Sequence, residues 1–242
     1  MGVGAGGAAA RRPIVLVGKG VCFDTGGINV KPAGAMKTMK GDMAGSAAAL
    51  GTFLALRHTR PYAASEVWLA LAENNINPDA FRPDEVVTAV TGTTIEVVHS
   101  DAEGRMLLAD TLALAGRTAV VPALHHPCDA MGEPTPPRVL LDFATLTGAV
   151  VTALSTRYVG VFTNRPEFAP AIIETGEQCG ERAWPFPVDS DFLEELQKSE
   201  VADLFQCLPT GEADHIYAAA FLGQFVKPAV PWLHLDLASA HR

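Results

Sequence analysis

Short apolar runs alternate with longer stretches of helical composition along most of this chain. Pro13–Gly18 (PIVLVG) is apolar and bounded by Pro and Gly, which predicts a buried strand. Met43–Arg57 (MAGSAAALGTFLALR) is long and rich in Ala and Leu, which predicts a helix. Glu66–Asn74 (EVWLALAEN) reads as the next buried strand. In VVTAVTGTTIEVVHS, residues 86–100, β-branched positions alternate about a Thr-Gly turn, and GRMLLADTLALAGR then turns helical with Asp110 and Arg117 on its polar side. RVLLDFATL is a strand feeding a helix, YVGVFTN another strand, and PEFAPAIIETGEQCGE an amphipathic helix. A polar helix around Asp191–Lys198, an alanine-rich helix HIYAAAFLGQFV and a last strand WLHLDLA complete the series. Alternating strands and helices predict a layered α/β/α domain with a mixed, largely parallel central sheet.

Two segments stand outside this rhythm. Residues 1–12 (MGVGAGGAAARR) are small and low in complexity and read as a flexible lead-in, with the domain proper at 13–242. Residues 117–137 form a loop insertion with five prolines and the cluster His125-His126-Pro127-Cys128. Two histidines and a cysteine fall short of a four-ligand metal site, so a surface loop is the expectation.

Composition narrows the function. At 242 residues and 48% hydrophobic, the chain can bury a substantial core, most simply as one domain. A formal charge of -9 disfavours nucleic acid as a partner, because no basic run is present to offset it. No apolar stretch reaches the ~18 residues of a membrane span, so no membrane partner is expected. Four scattered cysteines without a CxxC pair fit a reducing compartment, and the cytoplasm is the default location.

The chemistry-bearing residues gather at the ends of strands, where open α/β sheets place their sites. Lys19 and Asp24 follow the first strand, Asp42 opens the first helix, and Asp101 and Glu103 lie in SDAEGR between a strand and a helix. Singly, Asp42 and Asp101 read as helix caps. Together, several carboxylates and a lysine converging from different elements require neutralisation, which a cation would supply. On an extended backbone Asp101 and Glu103 would point the same way, with Gly104 permitting the turn into the helix. Two hard divalent ions bridged by carboxylates would satisfy the cluster, and Lys19 could join only as a neutral amine. An oxygen-rich site suits Mg²⁺ or Mn²⁺, whereas an amine ligand and hydrolytic chemistry suit Zn²⁺ or Co²⁺.

SDAEGRMLLADTLALA resembles the signature of the leucyl aminopeptidase family, the M17 cytosol aminopeptidases, usually written NTDAEGR, and VGKGVCFDTGGINVKPAGAMKTMKGDMAGSAAAL is similar to its first metal-binding segment. LDFATLTGA and WLHLDLAS match in order and spacing. The resemblance implies that Lys19, Asp24, Asp42, Asp101 and Glu103 hold two divalent metals (Mn²⁺ or Zn²⁺), with Asp24 and Glu103 bridging. It implies that Lys31 acts electrophilically on the substrate carbonyl and that Arg105 anchors a bicarbonate serving as proton shuttle. Met39, Thr145 and Gly148, with Leu146 beside them, match the pocket for the first side chain. The implied activity is release of N-terminal, leucine-like residues from peptide substrates by a homo-oligomer, a hexamer in the family.

Three departures accompany the likeness. The first metal-binding strand starts near residue 13, so the sheet should expose an edge or an apolar face. His99-Ser100 stands where Asn-Thr is common, and the 117–137 insertion could disturb subunit packing. The competing expectation is a truncated, non-catalytic or assembly-type relative of the same fold.

Overall fold

The computed structural model describes residues 12–61, 63–117 and 136–239. Most of the lead-in and of the proline-rich insertion, with its His125–Cys128 cluster, lies outside the described residues. Arg12, assigned to the lead-in, is anchored: its Nε and Nη2 donate to the carbonyl oxygens of Pro136 and Pro137.

Six strands form the central sheet: β1 (Ile14–Asp24), β2 (Ser65–Asn74), β5 (Val139–Ala144), β6 (Val159–Thr163), β7 (Ala183–Pro185) and β9 (Trp232–Asp236). Their order is β2-β1-β5-β9-β6-β7. All pairings are parallel except β6 against β9, so the sheet is mixed and largely parallel. A second sheet joins β3 (Val86–Thr88), β4 (Thr94–Glu96) and β8 (Leu204–Phe205) in that order. The turn expected at Thr91-Gly92 connects β3 to β4, with Gly92 at φ 89° where a side chain would be strained.

The alternation along β1 explains how the layers pack. Val15 and Val17 join the core formed with α3 (Glu103–Ala115) and α7 (Asp214–Gly223), while Leu16 joins Ala49 of α2 (Ala44–Thr59) and Phe143 on the other face. The even positions Gly18 and Gly20 therefore face α2, and they are glycines because the helix comes close. A Cβ on Gly18 would stand 2.4 Å from Ser46 Cα, and one on Gly20 2.5 Å from Ser46 Oγ. Ser46 seals the contact by donating its hydroxyl to the Gly18 carbonyl at 2.7 Å. The odd position Lys19 consequently points into the α3 face beside Val17.

Smaller elements complete the chain: α1 (Ala33–Met36), α4 (Gly148–Leu154), α5 (Ala169–Cys179) and α6 (Ser190–Leu196). Arg117 does not lie on a polar helix face as expected. It follows α3 at φ 59°, is buried, and its Nη2 meets both carboxylate oxygens of Glu66 on β2 at 2.7 and 2.8 Å. Asp110 accepts from the Val90 amide, in the connection between β3 and β4, at 2.8 Å. β2 is an edge strand of the central sheet, with Leu69 and Leu71 exposed. Among the described residues no helix is long and apolar enough to cross a membrane.

Candidate metal centre

Lys19 and Asp24 do not follow the first strand as expected; both lie within β1. The Lys19 ammonium is buried, with Nζ 2.8 Å from Asp42 Oδ1 and 3.1 Å from Glu103 Oε1, and it donates to the Thr145 carbonyl at 3.0 Å. Gly104 creates the clearance. It sits inside α3 rather than at a turn, and a Cβ there would stand 2.6 Å from Lys19 Cε and 2.8 Å from Nζ.

Near its end β1 loses register with β2 between Val21 and Asp24, leaving Cys22 and Phe23 exposed and aiming Asp24 inward. The two glycines that follow take positive φ, 89° and 66°, and the Gly26 amide donates to Asp24 Oδ1 at 2.8 Å. A Cβ on Gly26 would meet Asn29 O at 2.4 Å, so the turn requires glycine there. Ser100 fastens this turn to the second motif: its hydroxyl donates to Gly26 O at 2.6 Å, and its amide to Asn29 Oδ1 at 2.8 Å.

Asp101 and Glu103 are not on an extended backbone. Ser100–Ala102 is a 3-10 turn and α3 begins at Glu103, so a tight helical entry rather than strand alternation brings the two carboxylates together. Each of Asp24, Asp101 and Glu103 has an oxygen within 4.8 Å of the others. Nor does Asp42 open the first helix: it closes the 3-10 turn Met39–Gly41 and precedes α2. The capping explanation fails for both aspartates. Met43 precedes α2 without a side-chain cap, and the cap before Asp101 is His99, whose Nδ1 accepts from the Asp101 amide at 3.2 Å.

Lys31 completes the arrangement, with Nζ 2.8 Å from Asp24 Oδ2 and 2.5 Å from Asp101 Oδ1. Two lysines are thus seated among four carboxylates, each between two of them. Asn74, which sequence reasoning missed, ties the halves together. Its Nδ2 lies 2.9 Å from Asp24 Oδ1, 3.0 Å from Ser100 O and 3.3 Å from Glu103 Oε2. An asparagine closing a strand reads as punctuation, and only the parallel pairing of Asn74 with Asp24 reveals its place.

Burial raises the carboxyl pKa of Asp42, Asp101 and Glu103 above the ordinary range, against the opposing pull of the lysines. For Lys19 burial works to lower the pKa, but Glu103 and Asp42 outweigh it and hold the ammonium above lysine's ordinary value. Lys31 is raised in the same way by Asp101 and Asp24 against its own burial. Four carboxylates against two ammonium groups leave the cluster short of positive charge. Asp42 Oδ2 is buried with no hydrogen-bond partner among the described residues. An under-neutralised, desolvated set of hard oxygen donors with one unused lone pair fits a divalent cation.

Arg105, the expected holder of an anion, is only partly paired. This buried guanidinium already has Nη2 2.8 Å from both carboxylate oxygens of Asp214, and Nη1 donates to Gln206 O at 3.3 Å. Its Nε is buried with no hydrogen-bond partner among the described residues.

The expected pocket residues are only partly distinct from the centre. The Thr145 hydroxyl donates to Asp42 Oδ1 at 2.7 Å, so this residue orients a carboxylate. Leu146 and Met39 are half-buried and Gly148 is exposed at the start of α4. Asp236 shapes their turn, accepting from the amides of Leu146 and Thr147 at 3.1 Å and from the Thr147 hydroxyl at 2.6 Å. Separately, a cavity of about 350 Å³ reaches Glu103 and Asn74 from the side of Phe81, Ile95 and Met106.

Residues 5–242 match the model of the cytosol aminopeptidase family, catalytic domain. A probable cytosol aminopeptidase of Nitratidesulfovibrio vulgaris is 44% identical over 233 residues, 96% of this chain and 42% of that one. One from Phytoplasma australiense is 39% identical over 96% of this chain and 44% of its own length. Among solved structures, leucyl aminopeptidase of Leishmania major in complex with actinonin superposes with a TM-score of 0.82 at 31% identity, covering 96% of this chain and 43% of that one. The bottromycin maturation enzyme BotP in complex with Mn gives 0.80 at 36% identity, over 96% and 47%. The chain therefore spans less than half the length of the relatives it matches. With the match running through every carboxylate and lysine of the centre, the chain belongs to the cytosol aminopeptidase family and carries its catalytic domain.

Proposed function

We propose that this domain serves a metal-dependent aminopeptidase that removes apolar, leucine-like residues from the N-termini of peptides. The observation carrying this reading is the convergence of Lys19, Asp24, Asp42, Asp101 and Glu103 on one buried, under-neutralised centre. The four carboxylates would hold two divalent ions, Mn²⁺ or Zn²⁺, with Lys19 joining as a ligand only on giving up its proton. Bound, the ions supply Lewis acidity and bring the pKa of water from 15.7 toward about 7.

The chain's residues supply the rest. The Gly26 amide, Asn74 and Thr145 hold the carboxylates in fixed orientations, which limits reorganisation during the reaction. Lys31, paired here with Asp24 and Asp101, would be free to donate its ammonium proton to the substrate's carbonyl oxygen if those two carboxylates held cations. A well-placed donor of this type is worth roughly 3 kcal/mol in the transition state. Met39, Thr145, Leu146 and Gly148 border the space for the first side chain. The family match and the intact set of five candidate ligands speak against the non-catalytic alternative.

The reading is tested with leucine amide and its N-acetylated counterpart. Metal-loaded protein should cleave the first and leave the second intact. Cleavage of both, or of neither under conditions where a relative is active, would remove the proposal.

The electrostatics also carry a sign. Because the folded-state pKa values of Asp42, Asp101 and Glu103 are raised, the metal-free fold holds protons more tightly than the unfolded chain. Their contribution to stability is present below the ordinary carboxyl range near pH 4 and is lost as pH rises through the raised values. Metal requires the ionised forms, so the thermal shift on adding Mn²⁺ or Zn²⁺ should grow from pH 5 to 8. At about 1,000 times Kd the stabilisation is about 4 kcal/mol, or roughly 8–16 °C for a chain of this size. A shift that is flat or shrinking with pH would count against the centre.

A further inference from the structure

Asp236 ends β9 opposite Ala144, the last residue of β5, and its side chain is fully buried. Its two oxygens meet donors on both sides. Oδ1 accepts from the amides of Leu146 and Ala238, each at 3.1 Å, and Oδ2 from the Thr147 amide at 3.1 Å and the Thr147 hydroxyl at 2.6 Å. An asparagine here would set an N–H₂ against an N–H whichever way its amide was turned, so the place calls for a carboxylate. The Thr147 oxygen in turn accepts from the Val150 amide at 3.4 Å and caps α4. One buried carboxylate therefore pins residues 146 and 147 and the entry of the helix behind them.

Residue 145 lies between this pinned turn and the metal centre. Thr145 accepts from Lys19 Nζ at 3.0 Å on its carbonyl and donates its hydroxyl to Asp42 Oδ1 at 2.7 Å. Leu146 comes close to the same lysine: a Cβ on Gly104 would stand 2.8 Å from Lys19 Nζ and 3.0 Å from Leu146 Cδ1. Lys19 and Asp42 are themselves 2.8 Å apart, so a displaced turn is felt by both.

We propose that Asp236 is a positioning residue for the metal centre. It sets the turn from Thr145 to Gly148, through Thr145 it aims Lys19 and Asp42, and through Leu146 and Gly148 it fixes the border of the space for the first side chain. The metal and selectivity consequences rest on the aminopeptidase reading above; the coupling of Asp236 to Lys19 does not.

The test compares the parent chain with Asp236→Asn, Thr147→Val and Thr147→Ser. The valine keeps the carboxylate and the side-chain shape but removes the hydroxyl, and the serine puts the hydroxyl back. In metal-free, ¹³C-labelled protein the assigned Lys19 Cε resonance should move in Asp236→Asn and Thr147→Val and keep its parent position in Thr147→Ser. Calorimetric titration with Zn²⁺ should show one ion bound ~10-fold more weakly in the first two variants and unchanged in the third. The preference for leucine amide over alanine amide, taken as a ratio of kcat/KM, should fall ~5-fold or more in the same two. A purely structural role lowers Tm and the yield of folded protein but leaves the Lys19 resonance, the zinc affinity and the substrate ratio of the folded fraction where they were. That result would overturn the proposal, and Thr147→Val decides the matter if Asp236→Asn does not fold. If no protein in the set, the parent included, binds zinc or cleaves an amide, the proposed function fails while the Lys19 resonance still decides the role of Asp236.

Discussion

Replacing Asp24 by alanine is expected to lower the metal content from two ions to one or none and to reduce kcat/KM by ~10³-fold or more, about 4 kcal/mol of transition-state stabilisation. Asp24 is the residue on which the two halves of the centre meet. It takes Lys31 on one oxygen and the Gly26 amide and Asn74 on the other, and it lies within ligating reach of Asp101 and Glu103. Two effects on stability oppose each other in the metal-free variant. Losing a buried partner strands donors, which is destabilising. Removing one of four carboxylates also relieves a repulsion that raises the pKa of Asp42, Asp101 and Glu103. Lys31 retains Asp101, so the fold should survive and the loss should be chemical. Metal analysis, circular dichroism and kinetics on the same preparation separate the cases. Unchanged metal content with unchanged turnover would mean that the carboxylates serve only to neutralise lysines.

The second large effect is expected from packing, with no charge removed. Gly45→Ala should destabilise the fold by ~3 kcal/mol or more, lowering Tm by roughly 6–12 °C. Helix propensity alone argues the opposite, since alanine is better than glycine in a helix interior by about 1 kcal/mol. Packing decides the sign. A Cβ on Gly45 would stand 2.1 Å from Phe143 O, 2.8 Å from its carbonyl carbon and 3.0 Å from Lys19 O, all backbone atoms of β5 and β1. Neither central strand can move without carrying the centre with it, so the helix must lift. Gly51→Ala on the same helix is the control: nothing lies within 4 Å of its Cβ, and propensity should stabilise it by up to ~1 kcal/mol. Equal melting temperatures for the two variants would refute the argument from close approach.

Much of this architecture was legible in the residues, and the misses share a cause. Strands β1, β2, β5, β6 and β9 and helices α2, α3 and α7 stood out because their hydrophobic pattern persists long enough to define a period. α1, β7 and β8 span four, three and two residues, too few for any period to show. The five ligand candidates were readable from residue type and place, and they do converge. Their local geometry was not, since strand alternation was assumed for Asp101 and Glu103 where a helical turn is formed. Asn74 and Asp214 escaped notice because each has an ordinary local explanation, a strand terminus and an acidic first helical turn. Arg117 shows the converse: a charged residue at a helix end suggests solvent, but Glu66, 51 positions away, draws it inside. Long-range charge pairing leaves no mark on short-range pattern.

The seating of Lys19 and Lys31 bears on how such a domain comes into use. Each ammonium grips two acids from distant parts of the chain, so the cavity is braced before any ion arrives. Maturation can then be a late exchange, in which incoming cations take over contacts that internal amines have been keeping, with folding already finished. On the proposed reading, protein prepared without metal should already be folded, its site kept in shape by its own two amines.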